Sequence, residues 1–97
     1  MVEHIVLYRL RAAADAQALG DTLRRLIAIA DVRELRCGAN SSIVEPSGDF
    51  DYGLYVRFGD EAARARYLAD PRHQAVVPIV ESLTSALLVF GITSEGG

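Results

Sequence analysis

The sequence predicts an α+β fold of the ferredoxin-like kind, ordered β-α-β-β-α-β, with a four-stranded antiparallel sheet and its helices on one face. Two such sheets packed face to face would make a dimeric α+β barrel. Three observations predict it. Apolar residues recur with period two, then a helical period, then two, two, helical and two again along the chain. Turn-forming residues mark several of the changes of period. The first and last strand-like runs are apolar on both sides, although helices can cover only one.

Val2–Leu10 alternates Val2, His4, Val6, Tyr8 and Leu10 against Glu3, Ile5, Leu7 and Arg9, so both faces read as half buried, as in an interior strand. Arg11–Ala14 is a short connection. From Asp15 the pattern is helical. Leu19, Leu23, Leu26, Ile27 and Ala30 make one apolar stripe, with Asp15, Asp21, Arg24 and Arg25 opposite. Gly20 inside it costs about 1 kcal/mol relative to Ala, which points to close packing or a ligand nearby. Leu35, Cys37 and Ala39 alternate with Glu34, Arg36 and Gly38, a second strand reaching about Ser42. Glu45-Pro46-Ser47-Gly48-Asp49 is turn chemistry.

Phe50, Tyr52, Leu54, Val56 and Phe58 then occupy every second position, with Asp51, Gly53, Tyr55 and Arg57 between them. This is the clearest strand in the chain, and it should pair antiparallel with the one before it. Asp60 is a good N-cap for a helix over Glu61–Leu68. Asp70-Pro71 starts another, with Asp70 as cap and Pro71 at the first helical position. Pro78 predicts a kink, or an early end with a restart before Glu81. Ala86–Ile92, with Leu87 and Val89 on one side and Leu88, Phe90 and Ile92 on the other, reads as a central strand. The domain is expected over residues 1–93, with 94–97 a disordered tail.

Composition narrows the function. Net charge is −3 and all ten basic residues are Arg, so neither nucleic acid nor an anionic membrane is an expected partner. The absence of Lys excludes Schiff-base chemistry. The lone Cys37 reads as a small buried hydrophobe. An apolar run such as Ala86–Phe90 is far too short to span a bilayer. No basic start followed by an apolar stretch opens the chain, so no signal peptide and a cytoplasmic location are expected. Helices on one face would leave Ile5, Leu7, Tyr55, Leu88, Phe90 and Ile92 as an exposed apolar patch. A homodimer is the economical cover.

Chemistry concentrates in Tyr67-Leu68-Ala69-Asp70-Pro71-Arg72-His73, a phenol and an imidazole on either side of a helix break. His73 falls in the first turn of its helix, where the dipole disfavours imidazolium. As a neutral base it could accept a proton while Tyr67 donates to a developing enolate. The one other histidine, His4, lies on the first strand. Two histidines lack a third ligand for zinc, so no metal site is expected from side chains. Asp49 and Asp51 suit solvated positions better than an acid/base pair.

These pieces resemble one family. Val2-Glu3-His4-Ile5-Val6, Phe50-Asp51-Tyr52-Gly53-Leu54, Tyr67 with Asp70-Pro71-Arg72-His73, and Leu87–Ile92 are similar, collinearly over about residues 2–92, to the stress-responsive A/B barrel domain proteins. The resemblance implies a homodimeric barrel. A branch typified by the plant olivetolic acid cyclase closes a polyketide by aldol condensation without a redox cofactor. It implies His4, Tyr67 and His73 as catalytic residues. Asp70 stands in place of that signature's first His, Gly91 in place of an acid on the last strand, and Ala18, Leu19 and Thr22 in place of pocket aromatics. Some relatives bind magnesium through backbone carbonyls, which would fall near Leu26–Val32.

The expected ligand pocket is walled by Val6, Leu54, Val56, Val76, Ile79, Leu87 and Val89, with Gly91 leaving room or a water near His73. A small hydrophobic carbonyl compound is the expected ligand. The competing expectation is a non-catalytic, stress-related structural or interaction protein.

Overall fold

The computed structural model describes residues 1–44 and 48–94; the expected turn at Glu45–Ser47 and the tail beyond Ser94 lie outside these. Four strands, β1 (Val2–Leu10), β2 (Glu34–Ala39), β3 (Tyr52–Phe58) and β4 (Thr84–Thr93), form one antiparallel sheet in the order β2-β3-β1-β4. Helices α1 (Ala16–Arg24), α2 (Glu61–Ala69) and α3 (Pro71–Leu83) complete a ferredoxin-like domain. The molecule measures 37 × 32 × 16 Å, and the short dimension suits one sheet and one helix layer with an open second face.

β1 is an interior strand, paired on both sides, as its two-sided apolarity requires. The matching pattern on β4 has a different cause. β4 is an edge strand, not a central one. Leu87 and Val89 face the helices, while register pairs Leu88 with Leu7, Phe90 with Ile5 and Ile92 with Glu3 on the open face. Phe90 is 58% exposed in the protomer. The open face therefore carries the row Tyr55–Ile5–Phe90 beside Leu7–Leu88, the patch expected from sequence.

The helix-facing side of the sheet is the core. Val2, Val6, Tyr8, Tyr52, Leu54, Val56 and Phe58 are buried against Leu19, Leu23, Leu26, Tyr67, Val76 and Val80. The α1 stripe fails in its last third. After Arg24 the chain tightens into one turn of 3₁₀ helix, Arg25–Ala28, with three residues per turn. That change of phase buries Leu26 and Ile29 and leaves Ile27 and Ala30 outside. Gly20 is there for close packing: a Cβ on it would lie 2.4 Å from Tyr52 Oη.

Boundaries shift where side chains take over backbone bonds. β2 stops at Ala39, short of Ser42, because Asn40 donates from Nδ2 to the Phe50 carbonyl and accepts from Ser42 N. β3 starts at Tyr52 instead of Phe50, and Asp51 accepts from Leu10 N at 2.9 Å, a structural role. Gly48 and Asp49 both have positive φ, 68° and 61°, as the turn chemistry anticipates. α3 runs unbroken past Pro78 to Leu83, so the expected early end does not occur. Thr93 belongs to β4, and Ser94 is tied down by bonds to the Met1 carbonyl (3.0 Å) and Glu3 (2.8 Å).

Candidate functional site

Three elements bring the candidate side chains together. His4 sits on β1, buried on the helix-facing side. Asp60 caps α2 by accepting from Ala63 N at 2.8 Å, and the helix then buries Ala63 and Tyr67 one turn apart. Asp70 has extended backbone (φ −64°, ψ 136°) and breaks the helix. Its Oδ1 accepts from Arg72 N at 2.8 Å, so α3 starts at once and carries His73 back over Tyr67. The Tyr67 and His73 rings lie 4.9 Å apart between centroids, and Tyr67 lies 6.2 Å from His4. Phe58 packs against both Tyr67 (4.8 Å) and His4 (6.4 Å), fixing the cluster from below.

Both imidazoles are held below their usual pKa, chiefly by burial. For His73 burial is the leading cause. For His4 the Arg64 guanidinium adds to the effect. Burial pushes the Tyr67 phenol well above its usual value. At neutral pH the site thus presents neutral rings able to accept protons and a phenol able to donate a hydrogen bond. His73 Nδ1 is sealed from solvent without a well-aligned partner. The Leu68 carbonyl nearby, which also accepts from Gln74 Nε2 at 2.8 Å, favours the protonated ring. Nε2 is then the nitrogen a ligand could reach.

The cluster opens onto a cavity of about 300 Å³ between sheet and helices. Of the walls expected from sequence, Val6, Leu54, Val76, Leu87 and Val89 line it. Three do not. Val56 is fully buried in the layer beneath, and Ile79 lies on another side of α3. Gly91 pairs with His4 across the strands but opens no space: the Arg64 guanidinium lies over it, so close that a Cβ would sit 2.9 Å from Nη1. The room expected there is filled. Sequence reading missed Tyr8, Leu23, Leu26, Leu68, Val77, Val80 and Glu81 as lining residues. Tyr8 was legible, since it shares the face of His4 and Val6. Of the cyclase-type pocket positions Ala18, Leu19 and Thr22, none lines the cavity; Leu19 and Thr22 are buried in the core.

Backbone carbonyls of the segment expected to hold magnesium take part in local hydrogen bonds. In Leu26–Val32 the carbonyls of Leu26 and Ile29 already accept from Ile29 N (3.1 Å) and Val32 N (3.0 Å). The carboxylate of Asp31 is clamped by Arg66 at 2.9 Å. Among the described residues no group of three or more His, Cys, Asp or Glu side chains could hold a metal. Nor is any helix long and apolar enough to cross a membrane.

Fold and cavity together define a ferredoxin-like α+β protein with a histidine–tyrosine cluster at one end of an apolar chamber. The chain belongs to the stress responsive A/B barrel domain family, whose model matches residues 2–94. It is similar to a Dabb-family protein of Mesorhizobium loti with a ferredoxin-like fold, at 26% identity and TM-score 0.81, covering 98% of this chain and 97% of that one. A dimeric ferredoxin-like protein of unknown function from Jannaschia superposes with TM-score 0.86 at 20% identity, over 96% and 98% of the two chains. The hydroxynitrile lyase of Passiflora edulis does so with TM-score 0.83 at 15% identity, over 99% and 94%. No curated protein matches the chain.

Proposed function

We propose that the protein is a homodimer whose subunits each bind a small, hydrophobic, carbonyl-containing compound and transform it by acid–base chemistry without a redox cofactor. The observation that carries this reading is the convergence of His4, Tyr67 and His73 on one end of a largely apolar chamber. Its size falls at the small end of ligand-binding cavities. The dimer rests on the uncovered row of Ile5, Leu7, Leu88 and Phe90 and on the dimeric Jannaschia neighbour.

The chemistry follows from the protonation states. His73 Nε2 takes a proton from carbon between two carbonyls, and the Tyr67 hydroxyl donates a hydrogen bond to the enolate oxygen that forms. In a ligand with a third carbonyl further along its chain, the enolate carbon attacks that carbonyl carbon. One C–C bond forms, the C=O π bond opens to an alkoxide, and the imidazolium returns its proton to the alkoxide. Nothing is oxidised or reduced.

The test is binding of a phenyl β-diketone followed by NMR, with turnover assayed on an analogue whose chain carries a third ketone four carbons past the diketone. His73→Ala should abolish turnover, and Tyr67→Phe should slow it by about 10–1000-fold, the span for losing one positioned donor. Both variants should remain folded. Absence of any binding by the wild-type protein overturns the reading. One observation favours binding without turnover, and with it a non-catalytic role in stress: Arg64, not a carboxylate, stands beside His4 at Gly91. Binding with no turnover of the triketone would decide for that alternative.

A further inference from the structure

The open face of the sheet is not flat, and its relief is lopsided. Register sets Gly38, Gly53, Leu7 and Leu88 side by side in one row across β2, β3, β1 and β4. The two glycines floor an open depression of about 360 Å³ walled by Leu7, Ile5, Arg36 and Tyr55. Nothing in the protomer reaches into it at Gly38, where an added Cβ would meet no atom within 4 Å. At the opposite edge Leu88 and Phe90 stand at least half exposed on the same face. One edge is a hollow and the other is a ridge.

A hollow and a ridge on one face fit a second copy of that face. A two-fold interface puts the same patch on both subunits, so the patch must complement itself. An axis parallel to the strands, between β3 and β1, turns the sheet left to right and keeps each row level. The row Gly, Gly, Leu, Leu then meets Leu, Leu, Gly, Gly, with Gly53 under the partner's Leu7. The row that pairs Glu3 with Arg57 brings Arg57 over the partner's Glu3, so the charges match as well as the shapes. Aligned sheets cross at about 30°, which leaves these central columns stacked and slides the outer ones by about one residue. The partner's ridge, Leu88 and Phe90, therefore falls at Gly38. An axis across the strands would instead set hollow against hollow and leave a void where close packing is required.

We infer that two copies pack ridge into hollow about a two-fold axis parallel to the strands, with Leu88 and Phe90 of each seated at Gly38 of the other. The inference rests on the homodimer proposed above and adds its axis and its contacts. Sedimentation equilibrium on the wild type and on Gly38→Phe tests it. The substitution should leave the protomer folded, because the position is open and its backbone is ordinary strand. It places two clashes in the dimer and should raise the dissociation constant by about 100-fold or more. Within one chain Gly38 and β4 are three strands, about 14 Å, apart, so any coupling between them must act across the interface. Adding Leu88→Ala or Phe90→Ala to Gly38→Phe should recover about 10-fold or more in one of the two double variants.

If Gly38→Phe does not fold, mixed dimers of isotope-labelled and unlabelled wild type give the readout instead. Filtered NMR should show contacts from the glycine Hα protons of one copy to leucine methyls of the other. A folded Gly38→Phe dimer of wild-type affinity, recovery in neither double variant, or a dimer lacking those NMR contacts would overturn the register and leave the homodimer standing. A wild-type chain that sediments as a folded monomer would remove both.

Discussion

Asp70 stands where the family signature carries a histidine, and its replacement separates a structural role from a chemical one. The carboxylate makes one cap bond, 2.8 Å to Arg72 N, at the joint that sets Tyr67 and His73 face to face. It also lies 3.5 Å from the Arg72 guanidinium, but that side chain is 62% exposed, and such pairs contribute next to nothing. Asp70→Ala therefore loses the cap alone, about 0.5–2 kcal/mol. In a domain of this size about 1 kcal/mol lowers Tm by about 4–8 °C. Asp70→Asn keeps an acceptor of equal quality and should hold Tm within about 3 °C of wild type. Thermal unfolding followed by circular dichroism, with diketone titration alongside, measures both. If Asp70→Asn stays stable but loses ligand binding, the carboxylate acts on the ligand and the capping argument is wrong.

Phe90→Asp tests the open sheet face: more than half exposed in the protomer, the position should accept a charge in a monomer, so loss of the dimer by sedimentation is the expected result. A dimer of unchanged Tm would show that this face is not the interface. Gly20→Ala gains about 1 kcal/mol of helix propensity, but its Cβ would lie 2.4 Å from Tyr52 Oη. Overpacking of about 1–3 kcal/mol should win, and a higher Tm would contradict it. The two histidines predict a pH effect. Both have folded pKa values below about 6.5, so the unfolded chain binds more protons in mild acid. Their contribution is complete above about pH 6.5 and is lost as pH falls through the lower folded values. Tm should decline on that side, and less so in a His4→Gln, His73→Gln double variant; a flat Tm between about pH 6.5 and 5 would mean both rings are freely solvated.

Most of the fold was legible because period and caps are local signals. Asp15, Asp60 and Asp70 each accept from a backbone N–H at the start of a helix, where short-range sequence logic places them. The misses are non-local. Two-sided apolarity on Ala86–Ile92 cannot distinguish an interior strand from an edge strand with a cavity on one side and an uncovered face on the other. The 3₁₀ turn after Arg24 has no marker in residue type, so Ile27 and Ile29 could not be ranked. At the site, the face shared by His4, Val6 and Tyr8 was readable by alternation. The far wall from α1 and the 3₁₀ turn, Leu23 and Leu26, was not, because which helix positions border a cavity depends on where packing is left incomplete. Arg64 over Gly91 is likewise a tertiary fact, joining residues that no spacing rule connects.

That contact also bears on which histidine can act as base. His4 faces two influences that disfavour its protonated form besides burial, the Arg64 guanidinium and the other imidazole. The groups acting on His73 besides burial, the Leu68 carbonyl and the Asp70 carboxylate, both favour imidazolium. A proton taken from carbon must rest on the ring for the lifetime of the enolate, so the ring whose cation is better supported is the better acceptor. That ring is His73. His4, beside a cation and opposite Tyr67, is better suited to hold a ligand carbonyl as a neutral donor than to carry charge. In this chain the acid of the family pattern is absent, and the work of telling the two histidines apart falls to an arginine on one and to a helix joint on the other.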